Sequence, residues 1–272
     1  MSSTGPSGAR SSGVIRRTVT EQELAAAGQV GADLRWYASC HDAGATHTEV
    51  LEDLGAGADL FDYTNCRDVG AAHAEVLAAH GAGADLLGYT NCREAGAAHA
   101  EVLAAHGAGA DLFRYAYCRE AGATHTETLE ATKAGANLYY YAYCREAGAI
   151  HAEALEAQKA EADPYWYVRC RKVGATHAEA LEAQKAGADL IRYCFCREVG
   201  ATHPEAMALR LRGAGPDTTD ELKLAVPALR AACGATPTRE LGETIATLAQ
   251  DWTGTADELA ATAVALLSTR AS

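Results

Sequence analysis

Apolar and polar positions along this chain recur with a period of 26 residues between residues 33 and 214. In the fourth period, Leu112, Tyr115 and Ala116 have the i, i+3, i+4 spacing that places side chains on one face of an α-helix. The aspartate before Leu112 is a favoured N-cap residue, and Gly122 suits the left-handed conformation that ends a helix. The pattern therefore predicts a first helix of about eleven residues in each period.

A second short helix is predicted in the other half of each period. It opens with the pattern Thr-His-x-Glu at residues 124–127 and 176–179, which is typical of a capping box. We predict that one leucine per period is the buried anchor of this helix. This second-helix leucine ladder consists of Leu51, Leu77, Leu103, Leu129, Leu155 and Leu181, with Met207 in the last period.

Other side chains occupy the same place in all or nearly all periods, which defines seven repeats. The tyrosine ladder consists of Tyr37, Tyr63, Tyr89, Tyr115, Tyr141, Tyr167 and Tyr193. The cysteine ladder consists of Cys40, Cys66, Cys92, Cys118, Cys144, Cys170 and Cys196. The histidine ladder runs from His47 to His203 at the same spacing. The arginine ladder consists of Arg67, Arg93, Arg119, Arg145, Arg171 and Arg197, with His41 in the first repeat.

Helices of this length must stack to be stable, because isolated helices below about 12–15 residues are marginal in water. Each repeat then buries its apolar side chains against its neighbours. The predicted fold is all-α: an α-solenoid of seven 26-residue helix-turn-helix repeats followed by a small C-terminal helical domain. With helices about 8–10 Å apart, we expect a curved rod about 60–70 Å long.

The repeat pattern also predicts where the segments of the chain begin and end. Residues 1–17 are polar and rich in Ser and Gly, which predicts a disordered tail. The array is predicted at residues 18–215, with a half repeat at 18–32 and full repeats from residue 33. Residues 216–272 are predicted to form a three-helix cap or adaptor domain. Its predicted core consists of Leu222, Val226, Leu229, Leu241, Ile245, Leu248, Trp252, Leu259, Val264 and Leu267.

Composition narrows the classes of partner. The chain has 36 acidic and 23 basic side chains and a formal charge of −13, which disfavours a nucleic-acid-binding surface and adsorption to anionic membranes. No apolar run is long enough to span a bilayer, and the N-terminus lacks the apolar core of a secretory signal peptide. The nine cysteines are therefore expected to be free thiols of a cytoplasmic protein.

The cysteine and histidine ladders are the best candidates for metal chemistry. Thiolates and imidazoles from neighbouring repeats are suitable ligands for Zn²⁺ or Cu⁺, so a metal-sequestration protein is one alternative. Its ligands would be of the kind Cys118, His125, Cys144 and His151. However, the sequence contains no Cys-x-x-Cys pair, and cysteine near the end of a helix is a suitable core residue. We therefore favour structural cysteines, with no metal or cofactor.

The arginine ladder has two interpretations. Six arginines in register could follow a phosphate backbone, but an acidic residue follows five of them, and Lys172 is the only basic neighbour. We therefore predict salt bridges between repeats. An acidic DNA mimic that occupies a basic partner is a further alternative. The chain is not predicted to be an enzyme, because it lacks a nucleophile elbow, a phosphate-cradling glycine loop and a metalloprotease helix motif.

Two positions of the first helix, three residues apart, vary most between repeats and share one helix face. From repeat four to repeat seven they are mainly aromatic or Arg, the residue types enriched at interface hot spots. A role in the core is the alternative, but an Arg head group needs water or a partner, which favours exposure. The predicted partner-binding stripe consists of Trp36, Arg114, Tyr117, Tyr140, Tyr143, Trp166, Arg169, Arg192 and Phe195. Its predicted centre consists of Tyr140, Tyr143, Trp166 and Arg169.

The array resembles known helical-hairpin repeat proteins over residues 20–214. It is similar in design to HEAT-like and tetratricopeptide-type α-solenoids, although its period is shorter and the tetratricopeptide Trp, Leu-Gly and Tyr pattern is absent. Turns such as Gly-Ala-Thr-His-Ala-Glu resemble those of Ala/Gly-rich short-repeat proteins of high-GC actinobacteria. The resemblance implies a scaffold that binds a protein or peptide partner.

Overall fold

The computed structural model describes residues 19–209, 218–233 and 237–270, and within these ranges it contains helices but no strands. The predicted tail at residues 1–17 lies outside the described residues. The helices are α1 (Glu21–Gln29), α2 (Leu34–Asp42), α3 (His47–Gly55), α4 (Leu60–Asp68), α5 (His73–Gly81), α6 (Leu86–Glu94), α7 (His99–Gly107), α8 (Leu112–Glu120), α9 (His125–Lys133), α10 (Leu138–Glu146), α11 (His151–Lys159), α12 (Pro164–Lys172), α13 (His177–Lys185), α14 (Leu190–Glu198), α15 (His203–Ala208), α16 (Thr218–Cys233), α17 (Arg239–Ala249) and α18 (Ala256–Arg270).

The helices α2 to α15 form seven consecutive pairs, one pair for each 26-residue repeat. The helix α1 precedes the first repeat, and Thr20 and Glu23 form its capping box. The helices α16 to α18 follow the array as predicted. The all-α repeat fold is therefore confirmed. Positions within a repeat are counted below from the N-cap Asp or Asn, which is position 1.

The first helix of each repeat is shorter than predicted, with nine residues in α2 and not about eleven. The chain leaves the helix before the glycine, because Ala43 has φ −77° and ψ 4°, and Gly44 then has φ 89°. At the other end, the Asp33 carboxylate accepts hydrogen bonds from two backbone N–H groups of the first turn. The aspartate cap and the glycine stop are thus confirmed, and only the final turn of the helix was assigned wrongly.

The cores of the repeats contain the tyrosine and cysteine ladders, whose side chains are at most 2 % exposed. The prediction for the second helix was wrong by one residue: the second-helix leucines, such as Leu77 and Leu103, are only half-buried. The preceding residues, such as Val76 and Val102, are fully buried instead. Successive helical residues lie about 100° apart around the axis, so the leucine lies on the flank of the buried face.

The described residues divide into two compact units, one within Met1–Glu120 and Thr124–Thr132 and the other within Ala121–Ala123 and Lys133–Ser272. In the first unit, the first helices of successive repeats pack in the series α2, α4, α6 and α8. In the second unit, α10 packs on α12, α12 on α14, and α14 on α16. Neighbouring first helices thus form the main contacts between repeats in each unit.

The arginine ladder joins neighbouring repeats. Arg197 donates a hydrogen bond of 2.8 Å to the carbonyl oxygen of Gly174 in the preceding repeat, at the C-terminal end of that first helix. It also lies 3.7 Å from the Glu179 carboxylate. Arg171 makes the equivalent contacts with Gly148 and Glu153. The predicted salt bridges between repeats are therefore confirmed, and the guanidinium also satisfies a carbonyl left unpaired by the helix end.

The C-terminal bundle continues this pattern. Arg230 of α16 donates to the carbonyl oxygen of Gly200 and to both carboxylate oxygens of Glu205. Most of the predicted core is buried, but Val264 is 42 % exposed and was assigned wrongly. Ala263 lies on the buried side of α18, and Val264 lies about 100° further round the helix.

No helix in the described part of the chain is long and apolar enough to cross a membrane.

Candidate functional site

Position 3 of the first helices carries a row of exposed apolar side chains, between 40 % and 63 % exposed. The row consists of Phe61, Leu87 and Phe113 in the first unit, and Tyr139, Tyr165 and Ile191 in the second. We did not predict this row, although the sequence shows an apolar residue at this position in six of the seven repeats. Exposed apolar side chains that recur on one side of the helices are candidates for an interaction surface.

In α10, Tyr140 and Tyr143 lie next to Tyr139 on the outward-facing side of the helix. The helix buries Leu138, Tyr141, Ala142 and Cys144. Tyr139 and Tyr140 are exposed on its other side, and Tyr143 is half-buried there. The Tyr139 hydroxyl donates to the Tyr143 hydroxyl at 3.0 Å, which raises the pKa of Tyr139, and the two rings meet edge to face at 4.8 Å. The helix therefore presents a wall of phenol rings.

The helix α12 forms the opposite wall. Pro164 occupies its first turn, where the missing backbone N–H has no helical partner to lose. Tyr165 is 63 % exposed and packs edge to face on Trp166, with ring centroids 4.8 Å apart. Val168 is buried below them. This wall is apolar and aromatic like that of α10.

Between α10 and α12 these side chains enclose a groove with a volume of about 480 Å³. We call it the tyrosine groove. Its volume is within the range of about 300–1,000 Å³ that is common for ligand sites. The groove is lined by Tyr139, Tyr140, Tyr143, Pro164, Tyr165, Val168, Arg169, Lys172, Val173 and Glu198, all in the second unit.

Three lining side chains of the tyrosine groove are charged. The Arg169 guanidinium lies 3.3 Å from the Glu198 carboxylate and 5.6 Å from the centre of the Phe195 ring. The Tyr165 hydroxyl and then Glu198 raise the pKa of Arg169. Lys172 is exposed, and no carboxylate of the described residues forms an ion pair with it. The groove therefore offers one guanidinium held in place and one unpaired ammonium group.

The groove brings together three of the four residues predicted as the centre of the stripe. Tyr140, Tyr143 and Arg169 line it, whereas Trp166 is half-buried beside it, with the Arg169 guanidinium 5.9 Å from its ring centre. Phe195 is half-buried below Arg169. The sequence reasoning missed the other lining residues, which are Tyr139, Pro164, Tyr165, Val168, Lys172, Val173 and Glu198.

The prediction that Arg192 belongs to an exposed stripe was wrong. Its side chain is only 2 % exposed, and its guanidinium has no hydrogen-bond partner among the described residues. In repeat three, position 4 lies close to the next first helix, since a Cβ on Gly88 would lie 2.9 Å from the Leu112 side chain. In the last repeat the next helix is α16, which packs on α14. Arg192 is thus buried in the repeat that adjoins the C-terminal bundle, whereas Arg114 is exposed at the same position of repeat four.

Three stripe residues lie in the first unit, which is described here by itself. Trp36 is half-buried and packs edge to face on Phe61 of the next repeat, with ring centroids 4.8 Å apart. Arg114 is exposed and lies 3.7 Å from the Asp111 carboxylate. Tyr117 is half-buried. Of these three, only Arg114 has the exposure that was predicted for the stripe.

The tyrosine and histidine ladders are hydrogen-bonded to each other in every repeat. The tyrosine hydroxyl and the histidine Nδ1 ten residues later are 2.5–3.0 Å apart. In repeat two, His73 Nε2 also lies 3.1 Å from the Glu52 carboxylate, so the ring donates through Nε2 and accepts the tyrosine hydroxyl at Nδ1. The ladders were visible in the sequence, but their contact depends on the turn between the paired helices.

The surroundings of the cysteine ladder fit a structural role. Burial raises the pKa of Cys118 to about 12 and that of Cys144 to about 11, which keeps both as thiols. His125 and His151 are the other proposed metal ligands. The Nδ1 atom of each is hydrogen-bonded to the hydroxyl of a ladder tyrosine. Within the described ranges, no group of three or more His, Cys, Asp or Glu side chains is arranged to hold a metal ion.

One pair of cysteines is in direct contact: the Sγ atoms of Cys170 and Cys194 are 3.5 Å apart in the second unit. In the first unit, Cys40 and Cys66 instead contact the hydroxyls of Thr64 and Thr90.

No protein-family model matches this chain, and no curated protein sequence has a significant match to it.

Proposed function

We propose that this chain is a non-enzymatic repeat scaffold that binds a peptide segment of a partner protein in the tyrosine groove. The observation that carries this proposal is the groove itself: an open volume of about 480 Å³ between two helices that expose Tyr139, Tyr140 and Tyr165 to solvent. Tyrosine contributes a large contact area at a low cost in side-chain entropy, which is why it is enriched in binding surfaces.

The position of the groove supports a role in binding. It lies on first helices whose opposite faces are fixed by the buried tyrosine and cysteine ladders. A site on packed helices presents its side chains in a defined geometry, so little order is lost when a ligand binds. Helical repeat proteins such as HEAT-like and tetratricopeptide arrays use the surfaces of stacked helices in this way, which agrees with the resemblance of the sequence.

The buried thiols support a cytoplasmic location and weigh against the alternative of a metal-sequestration protein. Eight cysteines in the described ranges are buried and form no disulfide. Free thiols persist in a reducing compartment, so we propose a cytoplasmic protein. A metal-sequestration protein needs accessible thiolates, whereas burial raises the pKa of most of these thiols.

Photo-crosslinking in the native host tests the proposal. A photoreactive phenylalanine analogue at the place of Tyr165 should form a covalent adduct with a partner protein. The additional substitutions Tyr139→Ser and Tyr143→Ser should abolish that adduct, while the circular dichroism spectrum stays unchanged because the three side chains are outside the core.

The same analogue at the place of Phe113 is the matched control. Phe113 is the exposed position 3 residue of repeat four in the first unit. The proposal requires the Tyr165 adduct to be absent there. An identical set of adducts at both places, or adducts that persist without Tyr139 and Tyr143, would refute binding in the groove.

A further inference from the structure

One charged position at the tyrosine groove has the opposite sign from the same position in the other repeats. Position 10 of the repeats is acidic at Asp42, Asp68, Glu94, Glu120, Glu146 and Glu198, and it is basic only at Lys172. The chain as a whole carries a formal charge of −13. The single reversal of charge in this ladder therefore falls at the groove, where Lys172 is a lining residue.

The two second helices that flank α12 in the sequence show that the change of residue types is confined to α12. Residues 151–160 and 177–186 are identical in sequence, whereas the intervening first helix, α12, has Pro164, Arg169 and Lys172 where other repeats have different residues. These three side chains line the groove. The departures from the repeat pattern are thus concentrated on the side chains that a ligand would touch.

The contacts of the two cations show which charge the groove would accept. Arg169 is held by Glu198 at 3.3 Å, but Lys172 has no ion-pair partner among the described residues. At physiological salt the Debye length is about 8 Å, so the distant acidic surface is largely screened inside the groove. The charges that a bound segment meets directly are then two cations and one carboxylate.

From this juxtaposition we infer that the tyrosine groove selects a peptide segment in which a carboxylate side chain stands next to apolar side chains. The apolar side chains lie between the rings of Tyr139, Tyr143 and Tyr165, and the carboxylate pairs with Lys172 and Arg169. Beside an apolar wall such a pair is partly desolvated, which strengthens it relative to an exposed pair. A basic residue at the same place of the segment would meet Lys172 and be rejected.

This inference rests on the proposed function, and a selection experiment separates the two. A phage-displayed library of random peptides is selected on the immobilised full chain and depleted on a Tyr143→Ser/Tyr165→Ser variant, which leaves only groove-dependent binders. These should contain Asp or Glu beside apolar residues. In synthetic peptides of the selected sequences, replacing that acidic residue by its amide should weaken binding about tenfold or more.

The protein variant Lys172→Glu should weaken the same peptides about tenfold or more. Glu is the residue at this position in repeats three, four, five and seven, so the fold accepts it. Lys185→Glu is the matched control, because it changes the net charge equally at an exposed position outside the groove, and it should leave binding unchanged.

The outcomes are distinct. Groove-dependent peptides without an acidic residue, or peptides that bind Lys172→Glu as well as the wild type, would overturn this inference and leave the proposed function standing. A selection that enriches no groove-dependent peptide would overturn both. Acid-containing peptides that are lost equally in Lys172→Glu and Lys185→Glu would show an effect of net charge and would also overturn the inference.

Discussion

At the scale of single residues, one buried carboxylate departs from the repeat pattern. Position 21 is Ala in repeats two to six, but in repeat one it is Asp53, whose side chain is fully buried. Neither carboxylate oxygen has a hydrogen-bond partner among the described residues. Burial raises the pKa of this carboxyl from 3.8 to about 6, although His73 and His80 act in the opposite direction.

We expect Asp53→Ala to stabilise the protein by about 1–3 kcal/mol near pH 7.5, because a difference of two pKa units corresponds to about 3 kcal/mol. Above pH 6 the carboxyl is ionised in both states, and only the folded state bears the cost of desolvation. As the pH falls from 6 towards 4 the carboxyl becomes protonated in the folded state, which removes the cost of the buried charge, so the gain from the substitution shrinks. Urea unfolding of both proteins between about pH 4.5 and 7.5 measures this dependence.

Asp53→Asn is the control for this prediction. It keeps the shape of the side chain and removes the titration, so its stability relative to Asp53→Ala should not vary with pH. A gain for Asp53→Ala that is equal at both ends of the pH range would contradict a buried ionised carboxylate as the cause.

A second residue, Glu161, bears backbone strain. It has φ 51°, and it stands at position 25, where Gly135 of the preceding repeat has φ 71°. A side chain in the left-handed region costs about 1–2 kcal/mol, and part of this is offset by the greater freedom of glycine in the unfolded chain. We expect Glu161→Gly to stabilise the protein by about 0.5–1 kcal/mol and Gly135→Glu to destabilise it by a similar amount. Thermal melts of the two variants decide this, and a lower melting temperature for Glu161→Gly would show that the strain is absent.

At the scale of helices, one pair of side chains could link α12 to α14 covalently. Cys170 and Cys194 are 3.5 Å apart at Sγ, and the hydrogen bond with Cys194 lowers the pKa of Cys170, which favours it as the attacking thiolate. With hydrogen peroxide, the two thiols would give one disulfide while the peroxide is reduced to two waters. A bond of about 2.0 Å requires the sulfur atoms to approach by about 1.5 Å.

We expect mild peroxide to form a Cys170–Cys194 disulfide slowly, because both thiols are buried, and before any other disulfide among the eight cysteines described. Peptide mapping without reduction measures this link. Cys194→Thr is the control, since Thr occupies the same position in repeats two and three. An unlinked pair in the wild type, or equal linkage of several cysteines, would refute the prediction.

At the scale of the whole molecule, the C-terminal bundle completes the ion-pair pattern of the array. Glu205 is 8 % exposed, and the hydrogen bonds from Arg230 lower the pKa of its carboxyl. Because this pKa is lowered in the folded state, the contribution to stability is present near pH 7 and is lost as the pH falls through the folded-state value. The bundle is therefore held on the last repeat partly by charge.

We expect Arg230→Met to destabilise the protein by about 1–3 kcal/mol near pH 7, since it leaves the Glu205 carboxylate without its charged donor. The loss should shrink at acidic pH as Glu205 becomes protonated. Lys223→Ala is the control: its ion pair with Asp220 is exposed, so denaturant unfolding should show a change below about 0.5 kcal/mol. A loss for Arg230→Met that is no larger than for this control would contradict the role of Arg230.

The sequence by itself determined the repeat, the helix pairs and the burial of the tyrosine and cysteine ladders. These features follow from local rules: an Asp cap such as Asp33, a glycine with positive φ such as Gly44, and the spacing of apolar residues in a helix. Such signals act within a few residues, and they recur in every repeat. They therefore reveal the elements without any knowledge of what packs on them.

Only the tertiary structure decided which side of each helix is covered. Val76 is buried and Leu77 is not, although either is apolar enough for the core, because a rotation of about 100° separates them. Arg192 is buried in the repeat whose next helix is α16, whereas Tyr165, one position earlier in its own repeat, is 63 % exposed. The tyrosine groove likewise needs two helices from different repeats, and its shape depends on contacts between residues far apart in the sequence.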